Sequence, residues 1–133
     1  METTRPASPP PPVILIVDDR EVMRRALYQL VEESFPESTI LEAGDGAAAR
    51  RMCEEHAPQL AILDVLLPDH NGIILTAALR SMKVRPEVIV TSSLNDPHYS
   101  DLALAFGASA YIVKDHLLAE LVPAMAKALE GRR

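Results

Sequence analysis

Val13-Ile14-Leu15-Ile16-Val17 is an unbroken aliphatic run that stops abruptly at Asp18-Asp19. A run of that length without alternation suits a strand buried on both faces, as in a parallel sheet. The period then changes. Met23, Leu27, Leu30 and Val31 fall on one face of a helix, and Pro36 closes the segment. The same succession recurs down the chain. Thr39-Ile40-Leu41 predicts a short second strand, and Asp45 caps a helix running to about His56, with Pro58 just beyond. Leu60-Ala61-Ile62-Leu63 predicts a third strand ending at Asp64, with a helix over Ile73 to Met82. Val88-Ile89-Val90 predicts a fourth, ending at Thr91-Ser92. Asp96 followed by Pro97 then opens a helix to about Phe106, stopped by Gly107. Tyr111-Ile112-Val113 predicts the fifth strand, ending at Lys114, and a last helix buries Leu118, Leu121, Val122, Met125 and Leu129. Pro123 interrupts that helix. An interior proline costs about 3 kcal/mol, so the helix either starts near Ala119, with Pro123 close to its first turn, or is kinked there.

A strand and a helix alternate five times, which predicts an α/β fold with a parallel sheet covered on both faces and right-handed crossovers. Five such units fit an open doubly wound sheet in the flavodoxin-like order 2-1-3-4-5, whose ligands bind beyond the carboxyl ends of the strands.

Composition narrows the class. The chain has 133 residues, 48% of them hydrophobic and 24% charged, enough for one domain with a real core. Thirteen Lys+Arg against 19 Asp+Glu give a formal net charge of −6, which argues against a nucleic-acid-binding surface on this domain. The lone Cys53 cannot close an internal disulfide, so a reducing, cytoplasmic setting is expected. No apolar run reaches membrane-span length, so no membrane partner is expected. Five of the eleven prolines lie in Met1–Pro12, which predicts a disordered tail over 1–12 and one domain over 13–133.

The strand ends carry the candidate chemistry. Asp18 and Asp19 follow the first strand, Asp64 the third, Thr91 the fourth and Lys114 the fifth, and in order 2-1-3-4-5 these four strands are neighbours. A single aspartate at a strand end is most often a helix cap, but four strand ends with complementary polar groups point to one pocket. Two carboxylates about 4 Å apart repel by roughly 4 kcal/mol at an effective dielectric of 20, so three need a positive companion. Mg2+, a hard cation with oxygen ligands, fits, with Mn2+ as a substitute. Three acids, a divalent ion, a lysine and a hydroxyl suit phosphoryl transfer, where positioning and charge neutralisation dominate. Asp64, central between the first and fourth strands, is the expected nucleophile.

At these residues the chain resembles the receiver domain of two-component response regulators, the CheY-like family. The resemblance covers 13–131: the first strand with Asp18-Asp19, Leu63-Asp64-Val65-Leu66-Leu67-Pro68 with Gly72 eight residues after the aspartate, Thr91, and Tyr111-Ile112-Val113-Lys114. It implies that Asp64 accepts a phosphoryl group from a histidine kinase or phosphotransfer protein. It further implies that Asp19, Asp64 and the backbone carbonyl of Leu66 bind Mg2+, that Asp18 holds a metal-bound water, and that Thr91 and Lys114 contact the phosphoryl oxygens. Thr91 and Tyr111 form the switch, repacking the face of the fourth helix, fifth strand and fifth helix. Leu66 and Ser93 occupy positions that tune dephosphorylation; apolar Leu66 cannot orient a water, so slow hydrolysis is expected. Asp18–Leu27 and Gly107–Asp115 are similar to the subgroup that precedes a LuxR-type (NarL-like) helix-turn-helix, which this sequence does not include, so either a truncated transcription regulator or a free-standing receiver is implied. Homodimerisation through the first and fifth helices, or through the face of the fourth helix, fifth strand and fifth helix, is compatible with the wide apolar stripe of the last helix. Family members usually have a proline, often cis, after the lysine; Asp115 stands there, so a looser or trans linkage is expected.

Other signals are weaker. An aspartyl-phosphate phosphatase of the haloacid dehalogenase type needs a second acid two residues after the nucleophile, and Leu66 stands there. A receiver that never takes up phosphoryl would not need the full set of Asp18, Asp19, Asp64, Thr91 and Lys114. His56, His70, His98 and His116 lack metal-ligand spacing, although His70, in the loop after Asp64, is within reach of a phosphoryl group or a partner. Gly44-Asp45-Gly46 reads as a turn and cap, and no nucleotide-binding glycine loop is present. Arg24-Arg25 and Arg50-Arg51 read as solvated helix faces, and Cys53 as a packed or surface thiol.

Overall fold

The structure, a computed structural model, describes residues 10–130. In chain order the elements are β1 (Val13–Val17), α1 (Glu21–Ser34), β2 (Thr39–Ala43), α2 (Gly46–His56), β3 (Leu60–Asp64), α3 (Gly72–Arg80), β4 (Glu87–Ser92), α4 (Pro97–Ala105), β5 (Ala110–Val113) and α5 (Leu117–Glu130). A single 3-10 turn, Lys114–His116, joins the last two. The sheet is wholly parallel, in order β2-β1-β3-β4-β5, as the alternation of patterns predicts. Residues 1–9 of the expected tail lie outside the described residues. At its end, the Pro12 carbonyl accepts the Thr39 amide at 2.9 Å, so backbone pairing starts one residue before β1.

Strand alternation divides the interior into two cores. Leu15, Val17, Ala61, Leu63, Val88 and Val90 face α2, α3 and α4, joined by Cys53, Ile73, Leu75, Leu79 and Ala103. Ile14, Ile16, Leu60, Ile62, Ile89 and Ile112 face α1 and α5, joined by Leu27, Val31, Leu121 and Met125. Side chains are thus buried on both faces of β1, β3 and β4, which is why those strands read as continuous apolar runs. Each fully buried aliphatic chain stabilises by roughly 1.5–3 kcal/mol.

Caps set most helix ends where the sequence places them. Asp45 accepts the Ala48 amide at 2.7 Å, and Asp96 accepts the His98 amide at 2.9 Å with Pro97 in the first turn. Gly107, at φ 109, ends α4 in a conformation that favours glycine. Three ends differ from expectation. β2 runs on to Ala43, and α3 stops at Arg80 rather than Met82. α5 begins at Leu117, two residues before Ala119, and holds Pro123 in its interior. Pro123 and Ala119 are both exposed, so the carbonyl deprived of its helical donor faces water, which lowers the cost of the proline. The start at Leu117 also sets the phase of the helix. Leu117, Leu121, Met125 and Ala128 form the buried stripe, while Leu118, expected inside, is 87% exposed.

Candidate functional site

Alternation along the strands also aims the site residues. Asp18, Asp64 and Thr91 continue the register of Ile16, Ile62 and Ile89, the positions that face α1 and α5. Asp64 and Thr91 are paired across β3 and β4. Lys114, just past β5, reaches back over the sheet. Its Nζ lies 3.1 Å from Asp18 Oδ2 and 3.3 Å from Asp64 Oδ2, and all three side chains are nearly or fully buried. Asp19 is exposed at the rim, yet Asp18, Asp19 and Asp64 each present a carboxylate oxygen within 4.8 Å of the others. A cavity of about 240 Å³ opens between Asp19, Arg20, Asp64, Leu66 and Ser93.

The Lys114 ammonium and the exposed Arg20 guanidinium, 3.9 Å from Asp18 Oδ1, still leave three carboxylates short of neutral. Burial pushes the Asp64 carboxyl above its usual range; Lys114 opposes the shift and Asp18 adds to it. Thr91 Oγ1 is buried without a hydrogen-bond partner among the described residues, and a buried unpaired hydroxyl costs about 1–3 kcal/mol. The site therefore has surplus negative charge and an unused donor. An all-oxygen donor set of this kind fits Mg2+.

The loop from β3 to α3 is tied down on three sides. The Gly72 amide donates to the Val65 carbonyl at 2.7 Å, and a Cβ on Gly72 would collide with the Asp64 carbonyl. Asn71 Oδ1 accepts the Ile73 and Ile74 amides, capping α3. Asp69 reaches across to the start of α2, accepting the Gly46 amide at 2.7 Å and the Ala47 amide at 3.0 Å. These donors, the Gly46 amide foremost, pull the Asp69 carboxyl down to about 2. The loop thereby fixes the Leu66 backbone. The Leu66 amide lies 3.4 Å from Asp64 Oδ1, while its side chain is exposed.

Tyr111 does not share a face with Thr91. It pairs with Val90 and packs against the core under α2 to α4, and its hydroxyl donates to the Leu94 carbonyl at 2.7 Å. The hydroxyl contact ties Tyr111 to the β4–α4 loop, three residues on from Thr91.

Some residues set aside from sequence behave differently here. Arg24 is not a solvated face. Only 22% exposed, it donates to the Asp18 carbonyl at 2.8 Å and to Glu42 at 3.1 Å, whereas Arg25 is 79% exposed as expected. Its place on the Leu27–Val31 stripe of α1 was the available signal. Asp69 and Asn71 were missed too; Asn71, just ahead of the α3 run, was a capping signal, whereas nothing local marks Asp69 as a partner of α2. His70 is half-buried against Gly46, its Nδ1 3.1 Å from Asp69 Oδ2. Cys53 is buried, and burial pushes its thiol up to about 11, which makes it inert. No cis peptide occurs among the described residues, so Lys114–Asp115 is trans and opens the 3-10 turn. No helix among the described residues is long and apolar enough to cross a membrane.

A doubly wound five-stranded sheet with an acid cluster and a lysine at its carboxyl edge defines a class, and comparison with known proteins gives the family. The family model of the response regulator receiver domain matches residues 14–126, and the chain belongs to that family. It is 40% identical over 116 residues to the DNA-binding transcriptional activator DevR/DosR of Mycobacterium tuberculosis, covering 86% of this chain and 53% of the relative. It is 31% identical over 97 residues to the chemotaxis protein CheY of Halobacterium salinarum, covering 73% of this chain and 79% of the relative. The signal receiver domain of the putative response regulator NarL from Mycobacterium tuberculosis superposes with a TM-score of 0.84 at 30% identity, covering 93% of this chain and all of that one. The chain spans about half the length of the transcriptional regulators it matches.

Proposed function

We propose that this domain is a phosphoacceptor switch in which Asp64 takes the phosphoryl group. The observation that carries the reading is Lys114 Nζ set between Asp18 and Asp64, beside the buried, unpartnered hydroxyl of Thr91. An Asp64 carboxylate oxygen attacks the phosphorus of a phosphohistidine on a sensor kinase or phosphotransfer protein. The P–O bond forms, the P–N bond breaks, and the imidazole keeps the electron pair. Asp19, Asp64 and the Leu66 carbonyl would hold Mg2+, with Asp18 acting through a water; bound there, the ion offsets charge on the transferring group. Lys114 holds the two inner carboxylates in place and then follows the charge to the phosphoryl oxygens. Thr91 donates its free hydroxyl to one of those oxygens. The tug on Thr91 is passed along the β4–α4 loop to Leu94, and so to the Tyr111 hydroxyl, changing the α4–β5–α5 face.

The change in that face would control an output. Similarity to the DNA-binding transcriptional activator DevR/DosR supports regulation of transcription, and the resemblance of 18–27 and 107–115 to LuxR-type regulators points to a helix-turn-helix output, in the cytoplasm, with dimerisation on phosphorylation. Similarity to CheY supports the alternative, a receiver that acts alone by binding another protein. A phosphatase reading lacks its second acid, since apolar Leu66 stands two residues after Asp64.

Mass spectrometry after incubation with Mg2+ and acetyl phosphate tests the reading. One alkali-labile phosphoryl group is expected, and Asp64→Asn abolishes it. Release of phosphate from a simple ester over many turnovers would overturn the switch in favour of an enzyme.

A further inference from the structure

We infer that Arg24 is a positioning residue for the cation site, holding the Asp18-Asp19 turn from behind; this rests on the Mg2+ reading above. The turn is gripped at four points. The Asp18 amide donates to the Ala43 carbonyl at 3.1 Å. Asp18 Oδ1 accepts the Arg20 amide at 2.9 Å, and Oδ2 accepts from Lys114 at 3.1 Å. The fourth grip is the Asp18 carbonyl, which accepts from Arg24 Nη1 at 2.8 Å. That carbonyl belongs to the peptide group linking Asp18 to Asp19, so Arg24 fixes the plane from which the exposed Asp19 departs. Of the other three grips, the Arg20 amide closes a turn across this peptide through the Asp18 side chain, the Ala43 and Lys114 contacts hold Asp18 itself, and Arg24 is the one that binds the peptide's own carbonyl.

The guanidinium is itself held. Its Nε donates to Glu42 Oε1 on β2 at 3.1 Å, and the Arg24 amide donates to the Arg20 carbonyl at 2.9 Å within the first turn of α1. Planar, with donors on two edges, it can serve the carbonyl and the carboxylate at once, which an ammonium group cannot do as well. A bare cation so near the acids would repel Mg2+. Pairing with Glu42 cancels most of that repulsion and leaves orientation as the net effect. Groups that orient metal ligands from outside the coordination shell typically change affinity 10- to 100-fold.

The test is a Mg2+ titration of the chain at fixed ionic strength, followed by amide NMR shifts, on the wild type, Arg24→Met and Arg24→Lys, together with the metal-free Tm of each. For Arg24→Met the Mg2+ Kd is expected to rise about tenfold or more. Arg24→Lys should recover Tm better than it recovers affinity, because the charge returns without the second edge. A Kd within twofold of wild type in both variants, whatever the fall in Tm, overturns the inference and leaves Arg24 a purely structural anchor. Should Arg24→Met not fold, Arg24→Lys decides on the same criterion. If the wild type itself takes no Mg2+ at this site, it is the underlying reading that fails.

Discussion

The Tyr111 hydroxyl donates a 2.7 Å hydrogen bond to the main-chain carbonyl of Leu94, tying β5 to the loop that leaves β4. Thr91 stands at the start of that same stretch, three residues earlier, so the bond spans the route between the acid cluster and the α4–β5–α5 face. Tyr111→Phe removes one donor and leaves the ring. Net stability should fall by about 1 kcal/mol, while amide exchange at 93–96 quickens markedly. Unchanged exchange in that loop would show that the bond does not restrain it.

Asp64 is expected to be a liability in the metal-free protein. Burial raises its native pKa above the unfolded value. A raised carboxyl contributes stability that is complete below the unfolded pKa and is lost as pH rises through the native one. At neutral pH the group is therefore a net cost. Asp64→Asn should raise metal-free stability at pH 7 and show little gain at pH 3, while its response to Mg2+ disappears. Urea unfolding at both pH values checks this, and a loss of stability at pH 7 would contradict it.

Asp69 has the opposite sign. Its pKa is pulled down to about 2, so its contribution is complete above the unfolded value of about 3.9 and fades as pH falls through about 2. Carboxyl carbon shifts should titrate with a midpoint near 2. Asp69→Asn should speed exchange at the Gly46 and Ala47 amides, with α2 fraying from its first turn. A midpoint near 4 would mean that the clamp does not persist in solution.

Two glycines differ in how much they matter. A Cβ on Gly72 meets the backbone of Asp64 and Val65, which cannot yield, whereas a Cβ on Gly46 meets the His70 side chain, which can turn away. Gly72→Ala should cost about 3 kcal/mol and abolish phosphorylation. Gly46→Ala should cost clearly less, and the combination with His70→Ala should recover most of that loss. Thermal melts of the three variants settle the order.

Leu66 is exposed over the cavity and offers no polar atom beyond its backbone. The aspartyl phosphate should therefore decay slowly. Leu66→Asn, able to orient a water toward phosphorus, should hasten loss of the label. A wild-type phosphoryl group that is lost rapidly and persists longer in Leu66→Asn is the contrary result.

The strand ends were legible because β1, β3 and β4 are buried on both faces, so the first polar residue after each apolar run had to lie at the sheet's edge. Asp18, Asp64 and Thr91 follow from that alone, and Lys114 follows once β5 is placed. Arg24 escaped because a long side chain can leave a helix surface and return to the backbone, although Leu27 and Val31 mark its stripe. Asp69 escaped because its partners at Gly46 and Ala47 are 23 and 22 residues away, beyond any local pattern. The phase of α5 was ambiguous because Leu117, Leu118, Leu121 and Val122 offer two overlapping apolar stripes; only packing on the sheet selects the one through Leu117.

The division of the interior by the sheet has a practical result for anyone altering this domain. Leu63 and Ile62 are adjacent in sequence, yet they belong to separate cores on opposite faces of the sheet. Truncations on opposite sides should combine as simple sums, and those within one compartment should not. The half under α1 and α5 leads directly to Asp18, Asp64 and Thr91, so repacking there should disturb the acid cluster. The half under α2, α3 and α4 carries Tyr111, so repacking there should reach the switch face instead.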